Sequence, residues 1–193
     1  MDLERRYILA SKSPRRVELL TNLGLEFDTI PSDINENIER EGTFGDFVEK
    51  LAYLKGSDIA KKVKNRVIIS SDTIVVLGDR ILTKPKSSKE AFDTLKLLSG
   101  KKHQVYTSVS IIDQENSIVS VDHVKTDVFF EEMSNNDIEW YISTSEPFDK
   151  AGSYGIQGKG SRFIKRIDGC FFAVMGFPVS KFVKMMSKIG IKI

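Results

Sequence analysis

The chain has 193 residues, of which 40% are hydrophobic and 29% are charged, so it is long enough to bury one substantial core. Its 29 Lys and Arg residues nearly balance its 27 Asp and Glu residues, which excludes the strong basic field that draws proteins onto nucleic acid or anionic membranes. No apolar run approaches the roughly 18 residues of a membrane span. Met1–Arg6 lacks the apolar core of a signal peptide, and the single Cys170 cannot form an internal disulfide. We therefore expect one domain over residues 1–193, located in the cytoplasm.

Helical and strand patterns alternate along the chain. Capping residues mark helix starts, as with Ser13 before a proline and Thr43 with Asp46 three residues later. The densest strand pattern, Val67–Leu77, is interrupted by the polar residues 70–73. In chain order the predicted elements are strand 7–10, helix 14–23, strand 27–30, acidic loop 32–42, helix 43–62, strands 67–77 and 80–82, helix 88–99, strands 104–113 and 117–130, helix 135–143, a glycine-rich loop 152–160, a hairpin around 168–169 and helix 179–189. This interleaving predicts an α/β fold with a mixed sheet.

The first candidate site is the segment Ser11–Arg16, where a predicted strand turns into a helix. The N–H groups and the dipole at a helix N-terminus favour an anion. Ser11 and Ser13 add hydroxyl donors, and Arg15 and Arg16 bring planar donors that suit phosphate. Both arginines lie in the first helical turn, where a positive side chain is unfavourable without an anion. A capped helix with solvated arginines explains the same residues about equally well.

A second candidate is Asp72, which stands between two apolar runs of one predicted strand. A buried carboxylate needs a partner, because an unpaired buried charge is costly. A divalent metal, a lysine or a catalytic water would each serve. A hydrogen-bonded acid at a strand kink is an equally weighted alternative.

Two lysines carry weaker signals on their own. Lys84 precedes Pro85, which holds it extended, and its point charge suits phosphate. Exposed loop lysines are nevertheless the commoner meaning of such a pattern. The helical pattern alone leaves Lys55 on the solvent-facing side.

The segment Asp149–Gly158 is rich in glycine, which permits close backbone approach to a ligand. Tyr154 offers stacking and Gln157 offers an amide donor and acceptor, so a nucleobase could be recognised here. The chain has neither the P-loop spacing nor a G-x-G-x-x-G after a strand. An ordinary mobile loop is as consistent with the composition.

Other candidates favour structural roles. His103 and His123 lack zinc-site spacing and are expected to be structural or exposed. Trp140 and Tyr141 are expected to pack in the core. The basic run Lys61–Arg66 suits a helix C-terminus without any ligand, so nucleic-acid binding is not expected.

Five motifs occur in order along nearly the whole chain. They are Ile8-Leu9-Ala10-Ser11-x-Ser13-Pro14-Arg15-Arg16-x-x-Leu19-Leu20, Ser71-Asp72-Thr73-Ile74-Val75, Lys84-Pro85, Leu98-Ser99-Gly100 and Asp149-Lys150-Ala151-Gly152-x-Tyr154-Gly155-Ile156-Gln157-Gly158. Together they resemble the Maf family, and the ordered set is far more specific than any one motif.

The resemblance implies both a fold and an activity. Maf proteins were first linked to septum formation, and they are understood as house-cleaning nucleoside triphosphate pyrophosphatases that release a monophosphate and pyrophosphate. The implied fold is an elongated mixed sheet flanked by helices, with two lobes around a central cleft as in ITPase-like proteins. A divalent cation, Mg²⁺ or Mn²⁺, a nucleotide substrate and a homodimer are expected as well.

The family's functional positions fall on matching residues of this chain. By resemblance, Asp72 is the proton acceptor, Glu36 is a second acid, and both would hold the metal. Lys55 and Lys84 match phosphate-facing lysines of the family. Arg15, Thr73 and Gln157 match positions associated with substrate choice, while Ser11, Ser13 and Arg16 complete the phosphate-binding turn.

The form of the segment Tyr154–Gly158 is similar to the branch of the family that acts on dTTP and UTP, whereas the branch for methylated GTP carries a Ser-Glu segment there. Two positions depart from the usual family pattern, since Ser71 and Gly56 both stand where alanine is usual. A purine pyrophosphatase for ITP or XTP remains an alternative. A nucleotide- or nucleic-acid-binding regulator of cell division without turnover is another.

Overall fold

The computed structural model describes residues 7–193. The strands are β1 (Tyr7–Leu9), β2 (Phe27–Thr29), β3 (Val67–Leu77), β4 (Arg80–Leu82), β5 (Lys102–Asp113), β6 (Ile118–Phe130) and β7 (Ile164–Asp168). The helices are α1 (Pro14–Asn22), α2 (Phe44–Ala60), α3 (Ser88–Leu98), α4 (Asn135–Ser143), α5 (Phe171–Met175) and α6 (Val179–Lys188), and 3₁₀ turns occupy 146–149, 151–153 and 158–163. The prediction that Met1–Arg6 is no signal peptide concerns residues outside this range.

The strands form one seven-stranded sheet in the order β2-β1-β3-β5-β6-β7, with β4 paired to β3. β1 pairs in parallel with β2 and β3, whereas β3 with β4 and β6 with β7 are antiparallel. Helices alternate with these strands along the chain. The predicted α/β fold with a mixed sheet is therefore confirmed.

The predicted interruption of the third strand at residues 70–73 was wrong, because β3 runs unbroken from Val67 to Leu77. Ser70 and Ser71 are fully buried, and each hydroxyl donates to a backbone carbonyl, that of Ala52 at 2.7 Å and that of Gly176 at 3.1 Å. Buried serines with satisfied hydroxyls are compatible with a central strand.

The predicted hairpin around 168–169 was also wrong. β7 ends at Asp168 and the chain continues into α5. Gly169 has a φ of 132°, and a Cβ there would lie 2.8 Å from Oγ1 of Thr126. That hydroxyl accepts the N–H of Cys170 at 3.0 Å. The glycine thus turns the chain against β6 and into a helix instead of a returning strand.

The described chain divides into two compact units. Of the described residues, the first comprises 7–72, 107–124 and 176–193, and the second comprises 73–106 and 125–175. Each unit has its own hydrophobic cluster. Ile8, Ile59 and Ile68 are central in the first unit, and Leu95, Leu98 and Val128 in the second. The long strands β3, β5 and β6 contribute residues to both units.

Most predicted helix starts are confirmed. Thr43 and Asp46 form a capping box at α2, and Ser134 forms one at α4. Ser13 is the N-cap of α1, but its side chain makes no capping bond.

The two aromatic residues of α4 differ in burial. Tyr141 is fully buried as expected, but Trp140 is 42% exposed, so its expected place in the core was wrong. The guanidinium of Arg162 lies 4.5 Å from the Trp140 ring centroid, and a cation stacked on an indole stabilises it at a surface. Among the helices of residues 7–193, none is long and apolar enough to cross a membrane.

Candidate functional site

The turn between β1 and α1 is organised around the hydroxyl of Ser11. Ser11 is buried, and its Oγ accepts the N–H of Ser13 at 3.1 Å and Nη1 of Arg16 at 3.3 Å. The first turn of α1 contains no acidic residue, so nothing within it neutralises the helix dipole or the two arginines. Arg15 and Arg16 are half-buried. These features are compatible with an anion site, which is one of the two interpretations that the sequence allows for this turn.

Arg16 is fixed by a second bond. Its Nε donates to the carbonyl of Gly176 at 2.8 Å. Burial lowers the pKa of this guanidinium, while the charge of Asp72 acts in the opposite direction. The charge of Arg16 in turn acts to lower the pKa of Asp72, so the arginine of the turn and the acid of β3 lie within electrostatic range of each other.

The predicted acids and one lysine meet in the first unit. Nζ of Lys55 hydrogen-bonds to Oδ1 of Asp72 and lies 3.0 Å from Oε1 of Glu36. Asp72 and Lys55 are buried, whereas the Glu36 side chain is 60% exposed. The expectation from the helical pattern that Lys55 faces solvent was wrong. The resemblance, which places Lys55 in the site, agrees with its burial.

Close packing of α2 on β3 explains how Lys55 reaches Asp72. A Cβ at Gly56 would lie 2.8 Å from Oγ of Ser70 and 3.2 Å from Cδ1 of Ile112. Glycine at this position allows the helix to approach the serine-bearing strand, where alanine would push it away. Glycine in place of the expected alanine at position 56 therefore makes room for the buried hydroxyl of Ser70.

Glu36 reaches the same point from the loop between β2 and α2. Asp58 of α2 tethers that loop, because its Oδ2 accepts the hydroxyl of Ser32 at 2.9 Å and the N–H of Asp33 at 3.4 Å. Lys12 also pairs with Asp33 at 2.8 Å. These contacts hold the start of the loop against the helix that carries Lys55.

Burial raises the pKa of Asp72, although Lys55 and Arg16 act to lower it. Glu36 contributes to the increase by its like charge. A carboxyl group whose pKa moves towards neutrality is a better proton acceptor than an ordinary aspartate. The environment of Asp72 thus matches the role that the resemblance implies.

Glu36 and Asp72 also fit a divalent cation. Their oxygens converge on one ammonium group, and carboxylate oxygens are the ligands that Mg²⁺ and Mn²⁺ prefer. Mg²⁺ is commonly held by one or two carboxylates together with substrate phosphates. Two acids are therefore enough for a cation that arrives with a nucleotide.

One other group within residues 7–193 has the geometry of a metal site. Ligand atoms of Glu49, Asp122 and His123 lie within 4.8 Å of one another. Nδ1 of His123 is 2.6 Å from Oε1 of Glu49, and Nζ of Lys181 is 2.6 Å from Oδ2 of Asp122. The sequence did not predict this cluster, and neither Glu36 nor Asp72 belongs to it.

The remaining predicted residues lie in the second unit. Thr73 follows Asp72 in β3 and is half-buried, Lys84 is exposed after β4, and Gln157 is exposed just before the 3₁₀ turn 158–163. Packing against its neighbours holds the loop that carries Gln157. Gly152 has a φ of 71°, and a Cβ at this position would lie 2.9 Å from Cγ1 of Val75, so this glycine packs directly on β3.

Glu146 holds the loop, a role that the sequence did not predict. Its carboxylate accepts the N–H of Lys159 at 2.9 Å, the N–H of Gly160 at 3.1 Å and the hydroxyl of Tyr141 at 2.9 Å. The Tyr141 hydroxyl in turn accepts the N–H of Gly155 at 3.0 Å. Burial acts to raise the pKa of Glu146, but these hydrogen bonds hold it below the usual range. The signal available in the sequence was the need of glycine-loop amides for an acceptor.

Tyr154 anchors the other end of the loop. Its ring is buried, packs edge-on against Phe130 at 4.7 Å, and its hydroxyl is 2.8 Å from Nε2 of His103. His103 is itself buried, and its Nδ1 has no hydrogen-bond partner. The expected structural role of His103 is confirmed, because this histidine supports Tyr154 of the loop.

The buried His103 predicts a pH-dependent stability. Burial lowers its pKa from 6.5 to about 4, so between these values the unfolded chain binds a proton that the native chain refuses. The contribution of the neutral His103 to the free energy of unfolding is present above pH 6.5 and is lost as the pH drops towards 4. Between pH 7 and pH 5 this loss amounts to about 2 kcal/mol. Urea unfolding at pH 7 and at pH 5 should show this decrease in the free energy of unfolding for the wild type but not for His103→Gln. His123→Gln, which removes the other histidine, is the control, and an equal drop in wild type and His103→Gln would contradict the assignment.

The fold and these contacts define an α/β protein with a mixed sheet, in which a buried acid–lysine pair adjoins an arginine-bearing helix turn. Comparison with known proteins agrees with this class. The family model described as Maf-like protein matches residues 6–189, and the chain belongs to the Maf family.

Similar curated relatives share nearly the whole length of the chain. The dTTP/UTP pyrophosphatase of Ruminiclostridium cellulolyticum is 45% identical over 190 residues, covering 98% of both chains. That of Desulforamulus reducens is 46% identical over 189 residues, covering 98% of this chain and 99% of the relative. Among solved structures, the Staphylococcus aureus Ham1 protein matches with a TM-score of 0.48 and 15% identity, covering 82% of this chain and 79% of that one.

Proposed function

We propose that this protein is a nucleoside triphosphate pyrophosphatase that hydrolyses dTTP and UTP to the monophosphate and pyrophosphate. The observation that carries the proposal is the Lys55–Asp72 pair, buried in the first unit beside Arg16 and joined by Glu36. A buried acid between two cations suits the binding of a polyanion and the removal of a proton from water. The relatives that share 45% and 46% of the sequence carry this activity in their names.

Each candidate site residue of the first unit has a defined part in this mechanism. Arg15 and Arg16 bind phosphate oxygens at the N-terminus of α1, together with Ser11 and Ser13. Asp72 orients the attacking water and accepts its proton. When the nucleotide arrives, Lys55 exchanges part of its contact with Asp72 for a phosphate oxygen.

Glu36 and Asp72 would hold Mg²⁺ or Mn²⁺, whose contribution is to offset negative charge on the phosphate oxygens. The residues of the second unit keep the roles that the resemblance implies. Lys84 faces phosphate, while Thr73 and Gln157 take part in the choice of substrate. We also propose that residues 1–193 act as a single domain in the cytoplasm and form a homodimer.

A pyrophosphate-release assay over a nucleotide panel tests the proposal. With Mg²⁺ or Mn²⁺, the wild type should release pyrophosphate from dTTP and UTP in preference to ITP, XTP and 7-methyl-GTP, and chelation should abolish release. Preference for ITP or XTP would favour the purine alternative. Binding of nucleotides without release under any metal condition would leave only a regulator without turnover.

Gln157 is expected to set base selectivity. Gln157→Ala removes an exposed amide that can donate to and accept from a pyrimidine edge, so the ratio of kcat/KM for dTTP over ITP should fall about tenfold. Lys159→Ala, which removes another exposed side chain two residues further along the same loop, is the control. An unchanged ratio in Gln157→Ala would remove this residue from the base contacts.

A further inference from the structure

The carbonyl oxygen of Gly176 accepts hydrogen bonds from two elements of the first unit. Nε of Arg16, in α1, lies 2.8 Å from it, and Oγ of Ser71, in β3, lies 3.1 Å from it. A carbonyl has two lone pairs, so both bonds form together. One backbone oxygen therefore links the phosphate-binding turn to the strand that carries Asp72.

The position of this oxygen is fixed by the start of the C-terminal segment. Gly176 has a φ of 115°, a conformation that favours glycine. The next residue, Phe177, is fully buried and packs against Phe182 of α6 with ring centroids 5.1 Å apart. The N–H of Val179 also bonds to the carbonyl of Phe177 at 3.0 Å. The acceptor is thus held by packed aromatic rings and not by a loose loop.

Hydrogen bonds to Gly176 and Ser11 restrict the plane of the Arg16 guanidinium. Nε is directed to Gly176 and Nη1 to the hydroxyl of Ser11. Because the five N–H groups of arginine are coplanar, fixing two nitrogens fixes the direction of the whole fork. A bidentate contact with phosphate depends on that direction more than on the charge.

We propose that Ser71 is a positioning residue for phosphate binding: its hydroxyl holds the Gly176 carbonyl in the place where that carbonyl orients the guanidinium of Arg16. The inference rests on the proposed function. It also gives a reason for Ser71, which stands where the resemblance leads one to expect alanine. In this chain the serine acts through Arg16 without contacting the substrate.

Removal of the hydroxyl should affect substrate binding more than turnover. Ser71→Ala fits a strand position that is already fully buried, so the fold should be kept. The Gly176 carbonyl would then lose the donor from β3 that helps to hold it, and the orientation of the Arg16 guanidinium would loosen. The loss of one net hydrogen bond corresponds to about a fivefold increase in KM for dTTP, with kcat changed less than twofold.

A double-mutant cycle separates positioning from a general structural effect. In the Arg16→Lys background the Nε donor to Gly176 is absent, so Ser71→Ala should add almost nothing to KM. Two effects that simply multiply would show that Ser71 does not act through Arg16, and they would overturn the proposal.

Ser108→Ala is the matched control. Ser108 is also fully buried, and its hydroxyl donates to a backbone carbonyl, that of Val48 at 2.6 Å. It should lower stability without changing KM. An increase in KM as large as that of Ser71→Ala would overturn the inference.

Binding of inorganic triphosphate, measured by calorimetry with wild type and variants, makes the result independent of turnover. Weaker binding by Ser71→Ala alone would support positioning even in a protein that releases no pyrophosphate, so the proposed function would fail separately. Equal binding by the wild type and Ser71→Ala would overturn the inference whatever the activity.

Discussion

Asp72→Asn should lower kcat for dTTP about 10³-fold, which is within the range that a general base contributes. The amide keeps the size of the side chain and can still accept a hydrogen bond from Lys55, but it cannot take a proton from water. The raised pKa of Asp72, which burial causes, would be lost as a catalytic property while the packing of β3 stays. Pyrophosphate release under saturating dTTP measures the effect, and circular dichroism checks that the fold is retained.

Asp113→Asn is a matched control for the loss of a buried strand aspartate. Asp113 is buried at the end of β5 in the same unit, where its carboxylate accepts the N–H of Glu115 at 3.1 Å and Nδ2 of Asn116 at 2.7 Å. Its substitution should disturb the turn after β5 and leave turnover unchanged. Wild-type turnover in Asp72→Asn, or an equal loss in Asp113→Asn, would show that Asp72 is not the proton acceptor.

Local sequence signals predicted the parts of the fold that depend on neighbours in the chain. The capping boxes at Thr43 and Ser134 were readable because each bond spans only three residues. The strand–turn–helix at Ser11–Arg16 was readable for the same reason. The polar stretch in β3 was misread because the acceptors of Ser70 and Ser71, the carbonyls of Ala52 and Gly176, are distant in sequence.

The candidate site divides in the same way. Residue types and order placed Asp72 and the arginines, but not the burial of Lys55, which depends on how closely α2 packs on β3 at Gly56. Lys55 is 17 positions from Asp72 and 19 positions from Glu36 in the sequence, and no local periodicity encodes such a pairing. Only the resemblance predicted that Lys55 belongs to the site, and its burial beside Asp72 is compatible with that prediction. The order of the motifs carries tertiary information that the helical pattern lacks.

The network around Glu146 was missed for a related reason. Its partners are two backbone amides and a tyrosine hydroxyl, and backbone amides leave no trace in residue type. The motif at 152–158 showed glycines that can approach closely, yet it did not show what they approach. A Cβ at Gly158 would lie 2.8 Å from Oε2 of Glu146, so this glycine makes room for the carboxylate that orders the loop.

Glu146→Ala should therefore lower the free energy of unfolding by about 3 kcal/mol, because three donors lose one charged acceptor together. The amides of Lys159 and Gly160 should exchange hydrogen much faster than in the wild type, because both donate to the carboxylate that the substitution removes. KM for dTTP should rise about tenfold as the segment with Gln157 loses its order, while binding of inorganic triphosphate, which has no base for Gln157 to contact, should stay unchanged.

Glu139→Ala, an exposed glutamate of α4 in the same unit, serves as the control and should alter none of these quantities. Glu146→Gln should give stability, exchange rates and KM values between those of Glu146→Ala and Glu139→Ala, because the amide oxygen still accepts one hydrogen bond but the charge is gone. Exchange rates at Lys159 and Gly160 that match the wild type in Glu146→Ala would show that the loop is ordered by other contacts. Faster exchange with an unchanged KM would separate the order of the loop from the choice of base, and Gln157 would then lose its proposed role.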